Sequence, residues 1–384
     1  MVQNRVIIIS YGKWLNIIFQ YLNSNLDVAR IVIMDAFFLE NKKVTIFKDK
    51  HTIATSYAFL EEVLNDVYYD YILVALPVYS EQENIVITDL KKLNIKKVFR
   101  VGAIYSSYLI YCASIMKYIS KNASKYRVFI TGISRMWRAT DLESYKLPAV
   151  CCAYTSQDLY YDYLWAKKIL SFANHNFKYA VIGVTEYSFQ YDESIGSPEQ
   201  FLMLPYYLLF KDVHNYHVTK DAMNNIFNER LLNIQNYISL SDKFDLNKFG
   251  DRLVTGNISV SDFANGRRNA QLLCGKRYPD TIKEYKEIFI KYLKLCKNNN
   301  IIPIVVLTPT SRIRKYFFPK NITDEFMCII KEIKNQEDFI FLGYDFFGEF
   351  DDEYFFDDDH LNYTGAVKFS KMINDVINNL EKNV

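Results

Sequence analysis

The alternation of short buried strands with amphipathic helices constrains the fold of this chain more than any other feature. In the first part of the sequence, apolar or β-branched runs lie at 5–10, 31–35, 71–75 and 97–101. Segments with apolar residues at helical spacing separate them, at 13–22, 57–67 and 81–93. Strands that follow one another through a helix pair in parallel, because the crossover returns the chain to the same end of the sheet. The pattern therefore predicts an α/β fold with a parallel, doubly wound sheet.

A second α/β series follows. Its predicted strands lie at 127–131, 149–152, 179–184, 302–307 and 339–342. Its predicted helices lie at 158–172, 281–297, 323–334 and 364–380. A long, polar and largely helical insertion at about 190–275 interrupts the series, and we expect it to form a cap or lid over the site, since loops at the carboxyl ends of strands carry function in such sheets.

The length of 384 residues favours two domains over one. We place a first domain at 1–101, a connecting helix at 102–121 and a second domain at 122–384, which contains the insertion.

Charge and hydropathy exclude several classes of function. Net charge is +2 and no Lys/Arg run could follow a phosphate backbone, so nucleic acid is not an expected partner. The longest uncharged stretch, 101–116, contains three serines and is too short and polar for a transmembrane segment. The six cysteines are scattered, without metal-ligand spacing, which favours free thiols in a reducing compartment. A cytoplasmic protein is expected, with peripheral attachment to a membrane-associated assembly as the alternative.

A histidine near the C-terminus has the neighbours of a general base. His360, one of five histidines, follows Asp357, Asp358 and Asp359. Asp357 lies three residues earlier, so its carboxylate can fold back onto the ring, accept the Nδ1 proton and leave Nε2 free as a base.

A structural interpretation of the same segment stays open. Asp358 and Asp359 would then only solvate the surface, while Asn362 or Thr364 caps the last helix.

A serine just past a predicted strand is the candidate nucleophile. In Thr131-Gly132-Ile133-Ser134, a glycine stands two residues before the serine, where a sharp strand-to-helix turn needs a residue without Cβ. Such a turn exposes Ser134 at the carboxyl edge of the sheet and directs the following amides at one point. The alternative is that Ser134 is an ordinary helix N-cap.

Together these motifs resemble the SGNH (GDSL-like) hydrolase superfamily over about residues 122–384. In that family the nucleophilic serine comes early, and an Asp-x-x-His pair lies on one loop close to the C-terminus. The segment 360–370 is similar to bacterial proteins that add or remove acyl groups on cell-surface polymers, and 154–163 and 187–192 also resemble segments of uncharacterised members. The resemblance implies a flavodoxin-like three-layer domain.

Carried over residue by residue, the resemblance implies Ser134 as nucleophile, His360 as general base and Asp357 as its orienting partner. The backbone amides of Ser134 and Arg135 would form part of the oxyanion hole. No metal or cofactor is implied.

The chain departs from the family at the other two oxyanion donors. The second donor is commonly a glycine, and the nearest counterparts here are Ser156 and Gln157. The third is an asparagine in a Gly-x-Asn-Asp segment, whereas this chain reads Gly183-Val184-Thr185-Glu186-Tyr187. Glu186 is expected to repel an oxyanion, so that Thr185 or Tyr187 would substitute only weakly.

The expected function is therefore a serine esterase or O-acyltransferase that forms an acyl-enzyme. The resemblance implies an O-acylated, acetylated saccharide or surface polymer as substrate. The alternative is a catalytically degenerate binding or assembly protein in polysaccharide biosynthesis. The acyl group, its acceptor and the oligomeric state stay open.

The first domain resembles the small Rossmann-like domains attached to bacterial sugar-modifying enzymes. Gly12 occupies the phosphate-binding turn of a βαβ unit, and Asp35 ends the second strand, where an acidic residue would meet a ribose. The other fingerprint glycines are missing, and Tyr11 and Trp14 crowd the turn. A scaffold or docking domain without a dinucleotide is therefore favoured over a nucleotide-binding one.

Overall fold

The computed structural model shows an α/β protein. It describes residues 4–12, 15, 19, 26–35, 42–46, 50–76, 80–102, 107–196, 206–207, 209–216, 253–275, 277–348 and 350–382. The chain divides into two compact units. The first comprises Met1–Ser114 and Glu199–Lys243, and the second Ile115–Pro198 and Phe244–Val384. The predicted lid at about 190–275 and the predicted helix at 13–22 fall largely outside the described residues.

The first unit is built on a six-stranded sheet. Its strands are β1 (Asn4–Ser10), β2 (Leu26–Ile33), β3 (Lys42–Ile46), β4 (Lys50–Ser56), β5 (Tyr71–Ala75) and β6 (Val98–Arg100). They are ordered β3-β4-β2-β1-β5-β6, and every pairing is parallel except that of β3 with β4. The central strand β5 is buried throughout, and β1 is buried after its first two residues, as apolar runs in a parallel sheet must be.

The antiparallel pair β3–β4 is the part of this sheet that the sequence prediction missed. Lysines at positions 42, 43, 48 and 50 interrupt the apolar pattern, so no buried run is visible. Lysine-rich strands are typical of sheet edges, where they discourage pairing with other chains. A search for continuous apolar strands therefore overlooks them.

The second unit contains a five-stranded, fully parallel sheet. Its strands are β7 (Val128–Thr131), β8 (Ala149–Cys151), β9 (Tyr179–Val184), β10 (Ile302–Leu307) and β11 (Ile340–Leu342). They are ordered β11-β10-β9-β7-β8, so the chain begins inside the sheet, steps to one edge and then returns across it. The order changes direction beside β7, which brings the ends of β7 and β9 to a topological switch point, where α/β sheets bind ligands.

Helices follow the strands in both units. They are α1 (Leu60–Asp66), α2 (Glu81–Lys92), α3 (Ser107–Asn122), α4 (Ser134–Ala139), α5 (Leu159–Ile169), α6 (Glu193–Gly196), α7 (Val260–Gly275), α8 (Ile282–Asn298), α9 (Arg312–Phe317), α10 (Lys320–Lys334), α11 (Tyr344–Phe347) and α12 (Tyr363–Lys382). Side-chain caps start several of them: the Asp158 carboxylate accepts the Tyr161 amide at 3.1 Å at the start of α5. Within the described part of the chain, none of the helices combines the length and apolarity needed to cross a membrane.

Two glycines make room for one buried side chain behind the β7–α4 turn. Gly132 has φ +142°, and a Cβ there would lie 2.8 Å from Met136 Cβ. At Gly183 on β9, a Cβ would lie 2.5 Å from both Cβ and Cγ of Met136. Met136 is fully buried, so it has nowhere to move. The close packing of α4 on β9 therefore requires glycine at both positions.

We expect Gly183→Ala to destabilise the second unit by about 1–3 kcal/mol, because the added methyl group overpacks a filled core. Urea unfolding followed by circular dichroism measures the change. Gly275→Ala is the matched control, since a Cβ at Gly275 meets nothing within 4 Å. Equal unfolding midpoints for both variants would contradict the tight packing around Met136.

Candidate active site

Ser134 stands at the carboxyl end of β7, on the first position of α4. Ile133 occupies the N-cap position and makes no side-chain capping bond. The interpretation of Ser134 as a helix N-cap is therefore wrong. Ser134 is partly exposed.

A hydrogen-bonded chain joins Ser134, His360 and Asp357. His360 Nε2 lies 3.0 Å from Ser134 Oγ. On the other side of the ring, His360 Nδ1 lies 3.0 Å from both carboxylate oxygens of Asp357. With the Nδ1 proton directed at the carboxylate, Nε2 is the acceptor for the serine proton. The three predicted catalytic residues are thus brought together, although they come from segments 226 positions apart.

The Asp357 carboxylate is held by backbone as well as by the ring. Oδ1 accepts the amides of Asp359 at 2.8 Å and of His360 at 2.7 Å. Burial raises the pKa of Asp357, but the hydrogen bond and the charge of His360, with the Asp359 amide, outweigh it and lower the pKa below its ordinary value. Asp357 is therefore ionised at neutral pH and fixed in orientation.

Asp358 and Asp359 are not a solvated surface, and that interpretation is wrong. Asp358 is only 2 % exposed. Its Oδ1 accepts Asn269 Nδ2 at 2.8 Å, and its backbone carbonyl accepts Ser311 Oγ at 2.7 Å. The Asn362 part of the alternative is confirmed, since Asn362 Oδ1 accepts the Gly365 amide at 3.0 Å and so caps α12.

Arg135, next to the candidate nucleophile, has its guanidinium buried among carboxylates. Its Nε donates to Asp359 Oδ1 at 2.6 Å, and its Nη1 donates to Glu186 Oε2 at 2.8 Å. The guanidinium also lies 5.5 Å from the ring centre of Tyr187. Burial lowers the pKa of Arg135, but Asp359 and Glu186 more than compensate and raise it well above its ordinary value.

Glu186, expected to repel an oxyanion, is held by two partners. One carboxylate oxygen of Glu186 is paired with Arg135, and the other accepts the hydroxyl of Tyr344. Its negative charge is therefore paired with a buried cation, which weakens any repulsion of an oxyanion.

The predicted second oxyanion segment forms a tight turn. The Gln157 amide donates to the Tyr154 carbonyl at 3.4 Å, and Ser156 has φ +56°, a left-handed conformation that favours glycine. The Gln157 side chain points inward, where Nε2 donates to the Cys152 carbonyl at 2.9 Å and to Asp162 Oδ1 at 2.6 Å. Gln157 therefore supports the loop, and Ser156 is the member of the pair on its partly exposed side.

The residues proposed for the third oxyanion position are engaged elsewhere. The Thr185 amide donates to Ser188 Oγ at 2.8 Å, and the two hydroxyls lie 3.2 Å apart. Tyr187 is buried and packs on Tyr191 and Phe318, with ring centres 5.9 and 6.2 Å away. Burial raises the pKa of Tyr187 to about 12.

Sequence reasoning missed Arg314, on α9. Its Nη2 lies 2.9 Å from Asp359 Oδ1 and 3.3 Å from Asp358 Oδ2, and its side chain is 2 % exposed. A signal was present: α9 follows β10, the neighbour of β9, so its first turn belongs to the same edge of the sheet.

In the first unit, the two weak cofactor candidates bind each other. The Gly12 amide donates to Asp35 Oδ2 at 2.5 Å. Burial and the charge of Asp35 raise the pKa of the neighbouring Tyr11. A carboxylate on the amide that would face a phosphate puts negative charge at that point, which disfavours a dinucleotide there. Trp14 lies outside the described residues.

No protein-family model matches this chain, and no curated protein matches it. A functional proposal for this chain therefore rests on the geometry around Ser134 and His360.

Proposed function

We propose that this chain is a serine esterase or O-acyltransferase that works through an acyl-enzyme. One observation carries the proposal: Ser134 Oγ and Asp357 lie on opposite sides of the His360 ring, each 3.0 Å from a ring nitrogen. A hydroxyl, an imidazole and an ionised carboxylate in this order form the arrangement that activates serine in several unrelated folds.

The chemistry follows from the contacts. His360 Nε2 takes the Ser134 proton while Oγ attacks the ester carbonyl, and Asp357 stabilises the imidazolium that forms. The imidazolium then donates its proton to the leaving alcohol. Water, or a sugar hydroxyl, is deprotonated by the same nitrogen and releases the acyl group from Ser134. Hydrolysis and transfer share the first half-reaction and differ only in the acceptor.

Backbone amides are the proposed oxyanion donors. Amides in the first turn of α4 have no acceptor within the helix, and those of Ser134 and Arg135 belong to this turn. The left-handed turn at Ser156 supports its assignment to the family's glycine position, since its backbone has the conformation that glycine prefers. A hole with one donor fewer lowers the rate by roughly 10²–10³, so the chain is proposed to be a slow member.

The sheet orders support the finer fold proposals. Counted along the chain, the second sheet has the order 2-1-3-4-5, that of flavodoxin-like sheets, with Ser134 after its first strand and Asp357–His360 before its last helix. This supports a three-layer SGNH domain. The parallel strands of the first sheet have the order 3-2-1-4-5, which supports a Rossmann-like unit.

The proposed substrate is an O-acylated saccharide or surface polymer, and the proposed location is the cytoplasm or a membrane-associated assembly. The substrate rests on the resemblance of the segment 360–370 to bacterial proteins that add or remove acyl groups on cell-surface polymers, and the location rests on the scattered cysteines, which favour a reducing compartment.

Mixing the protein with p-nitrophenyl acetate tests the proposal. We expect a burst of p-nitrophenolate equal to the concentration of protein, followed by a slow steady rate, because an activated ester acylates Ser134 faster than water removes the acyl group. Ser134→Ala should abolish the burst, whereas Ser171→Ala, at an exposed serine, should retain it. The same background with all three proteins would contradict the proposal.

The alternative, a binding or assembly protein that keeps the fold without turnover, predicts this negative result. The engagement of Thr185 with Ser188, and of Gln157 with Asp162, favours this alternative, because it removes polar groups that could bind an oxyanion.

A further inference from the structure

We propose that the ion pair between Arg135 and Asp359 is a positioning device that holds the Ser134 hydroxyl and the His360 ring in register. The inference rests on the proposed function and adds a role for two side chains that do not touch the substrate. Arg135 and Asp359 are thereby positioning residues.

Covalent adjacency is the first step. Arg135 is the residue after Ser134, and Asp359 is the residue before His360. The Arg135 Nε–Asp359 Oδ1 bond of 2.6 Å therefore runs beside the 3.0 Å contact between Ser134 Oγ and His360 Nε2. Helix α4 and the 357–360 loop are joined twice, once through the reacting atoms and once through this ion pair.

Asp359 also connects the ion pair to the carboxylate of Asp357, which orients the His360 ring. Its side chain binds Arg135, while its amide donates to Asp357 Oδ1 at 2.8 Å. A shift of Asp359 would consequently move both the ring of His360 and the carboxylate that sets its tautomer.

The surroundings make the ion pair rigid. Arg135 is 1 % exposed and Asp359 15 %. Glu186, two residues after β9, binds Nη1 of the Arg135 guanidinium, and Arg314, on α9, binds the same oxygen of Asp359 as Arg135 does. Buried bonds of this kind are poorly screened, unlike solvent-exposed ion pairs, which contribute little.

The ion pair also sets the charge next to His360, because Asp359 is the preceding residue and is itself paired with Arg135. Asp357 contacts the ring itself, Asp359 is paired with Arg135 on α4 and with Arg314 on α9, and Arg314 also binds Asp358. Removing the positive charge at position 135 exposes Asp359 and favours the imidazolium. Removing the negative charge at position 359 disfavours it. The two changes should therefore move the acid limb of the pH profile in opposite directions.

Kinetics of Arg135→Met and Asp359→Asn with p-nitrophenyl acetate test this. We expect kcat to fall by about 10²-fold in each, the loss typical of misplaced reacting groups, with KM changed by less than about twofold. The acid limb of kcat/KM should move to higher pH in Arg135→Met and to lower pH in Asp359→Asn. Arg135→Lys should recover part of kcat, because lysine restores the positive charge but lacks the planar guanidinium that binds Asp359 and Glu186 together.

Arg312→Met is the matched control. It lies on α9 beside Arg314 but forms an exposed pair with Asp351, at 2.6 Å, and should leave kcat and the pH profile unchanged. Shifts of the acid limb in the same direction in both variants, or a loss confined to KM, would overturn the positioning role.

An activity-independent readout separates this inference from the proposed function. Nitrogen-15 NMR of the His360 ring reports its tautomer and titration in each variant. Absence of a Ser134-dependent burst in the wild-type protein sinks the proposed function alone. Unchanged tautomer and titration of His360 in both variants sinks the positioning role, whether or not the protein turns over esters.

Discussion

His360→Ala is expected to lower kcat for an activated ester by roughly 10⁶-fold, the loss seen when the base or nucleophile of such a triad is removed. Among the described residues, His360 Nε2 is the hydrogen-bond partner of Ser134 Oγ, and without this base the hydroxyl is a poor nucleophile at neutral pH. Steady-state and burst kinetics with p-nitrophenyl acetate measure the loss.

The same assay distinguishes a triad from independent groups. Ser134→Ala/His360→Ala should be no slower than either single variant, because the residues act as one unit. Asp357→Asn should lose roughly 10⁴-fold, since an amide at the place of the carboxylate favours the wrong ring tautomer. Losses that multiply in the double variant, or an Asp357→Asn enzyme at full rate, would contradict the mechanism.

Arg314→Met is expected to destabilise the second unit by about 3–5 kcal/mol, the cost of leaving a buried charge without its partner. Arg314 is the cation shared by Asp358 and Asp359, and all three side chains are largely buried. Urea unfolding of the full chain, followed by near-ultraviolet circular dichroism, measures the change. Arg312→Met should stay within about 0.5 kcal/mol of wild type, since its ion pair is exposed. Equal losses in the two variants would contradict a special role of the buried pair.

The ion pairs also predict how stability depends on pH. Burial raises the pKa of Asp359, but Arg135 and Arg314 outweigh it and hold the pKa below the ordinary value of 3.8. A folded-state pKa below the unfolded one adds stability that is complete above about pH 4 and is lost as the pH falls through the folded pKa. Asp359→Asn should therefore lose stability at about pH 6 and differ less from wild type at about pH 3. A constant difference between the two proteins across this range would contradict the assignment.

Sequence periodicity located the buried strands well, because each is a continuous apolar run between turn residues. Strands β5, β9 and β10 match the predicted limits of 71–75, 179–184 and 302–307. The antiparallel pair β3–β4 was missed, because lysines, which are common at a sheet edge, interrupt the apolar pattern that marks a buried strand. Continuous apolar runs identify strands that are buried on both faces, and edge strands lack such runs.

The contact of Asp357 with His360 was also predictable, because a spacing of three residues limits where the carboxylate can lie. The environment of the neighbouring carboxylates was not. Solvation of Asp358 and Asp359 was an open alternative, and Glu186 was expected to repel an oxyanion, because the sequence does not show their partners. Those partners, Arg135 and Arg314, come from segments distant in sequence, so local spacing could not supply them. The catalytic roles themselves stay predictions.

The sequence alone determined the α/β class and the buried strands. It also identified residues with the chemistry of a nucleophile, a base and an orienting acid. These depend on local periodicity and on side-chain type, which the chain carries at each position. Only the tertiary structure decided that Ser134 and His360 meet at 3.0 Å and that two buried arginines pair with the surrounding carboxylates. Such pairings are decided by parallel strands that end at one edge of a sheet, which brings together residues more than two hundred positions apart.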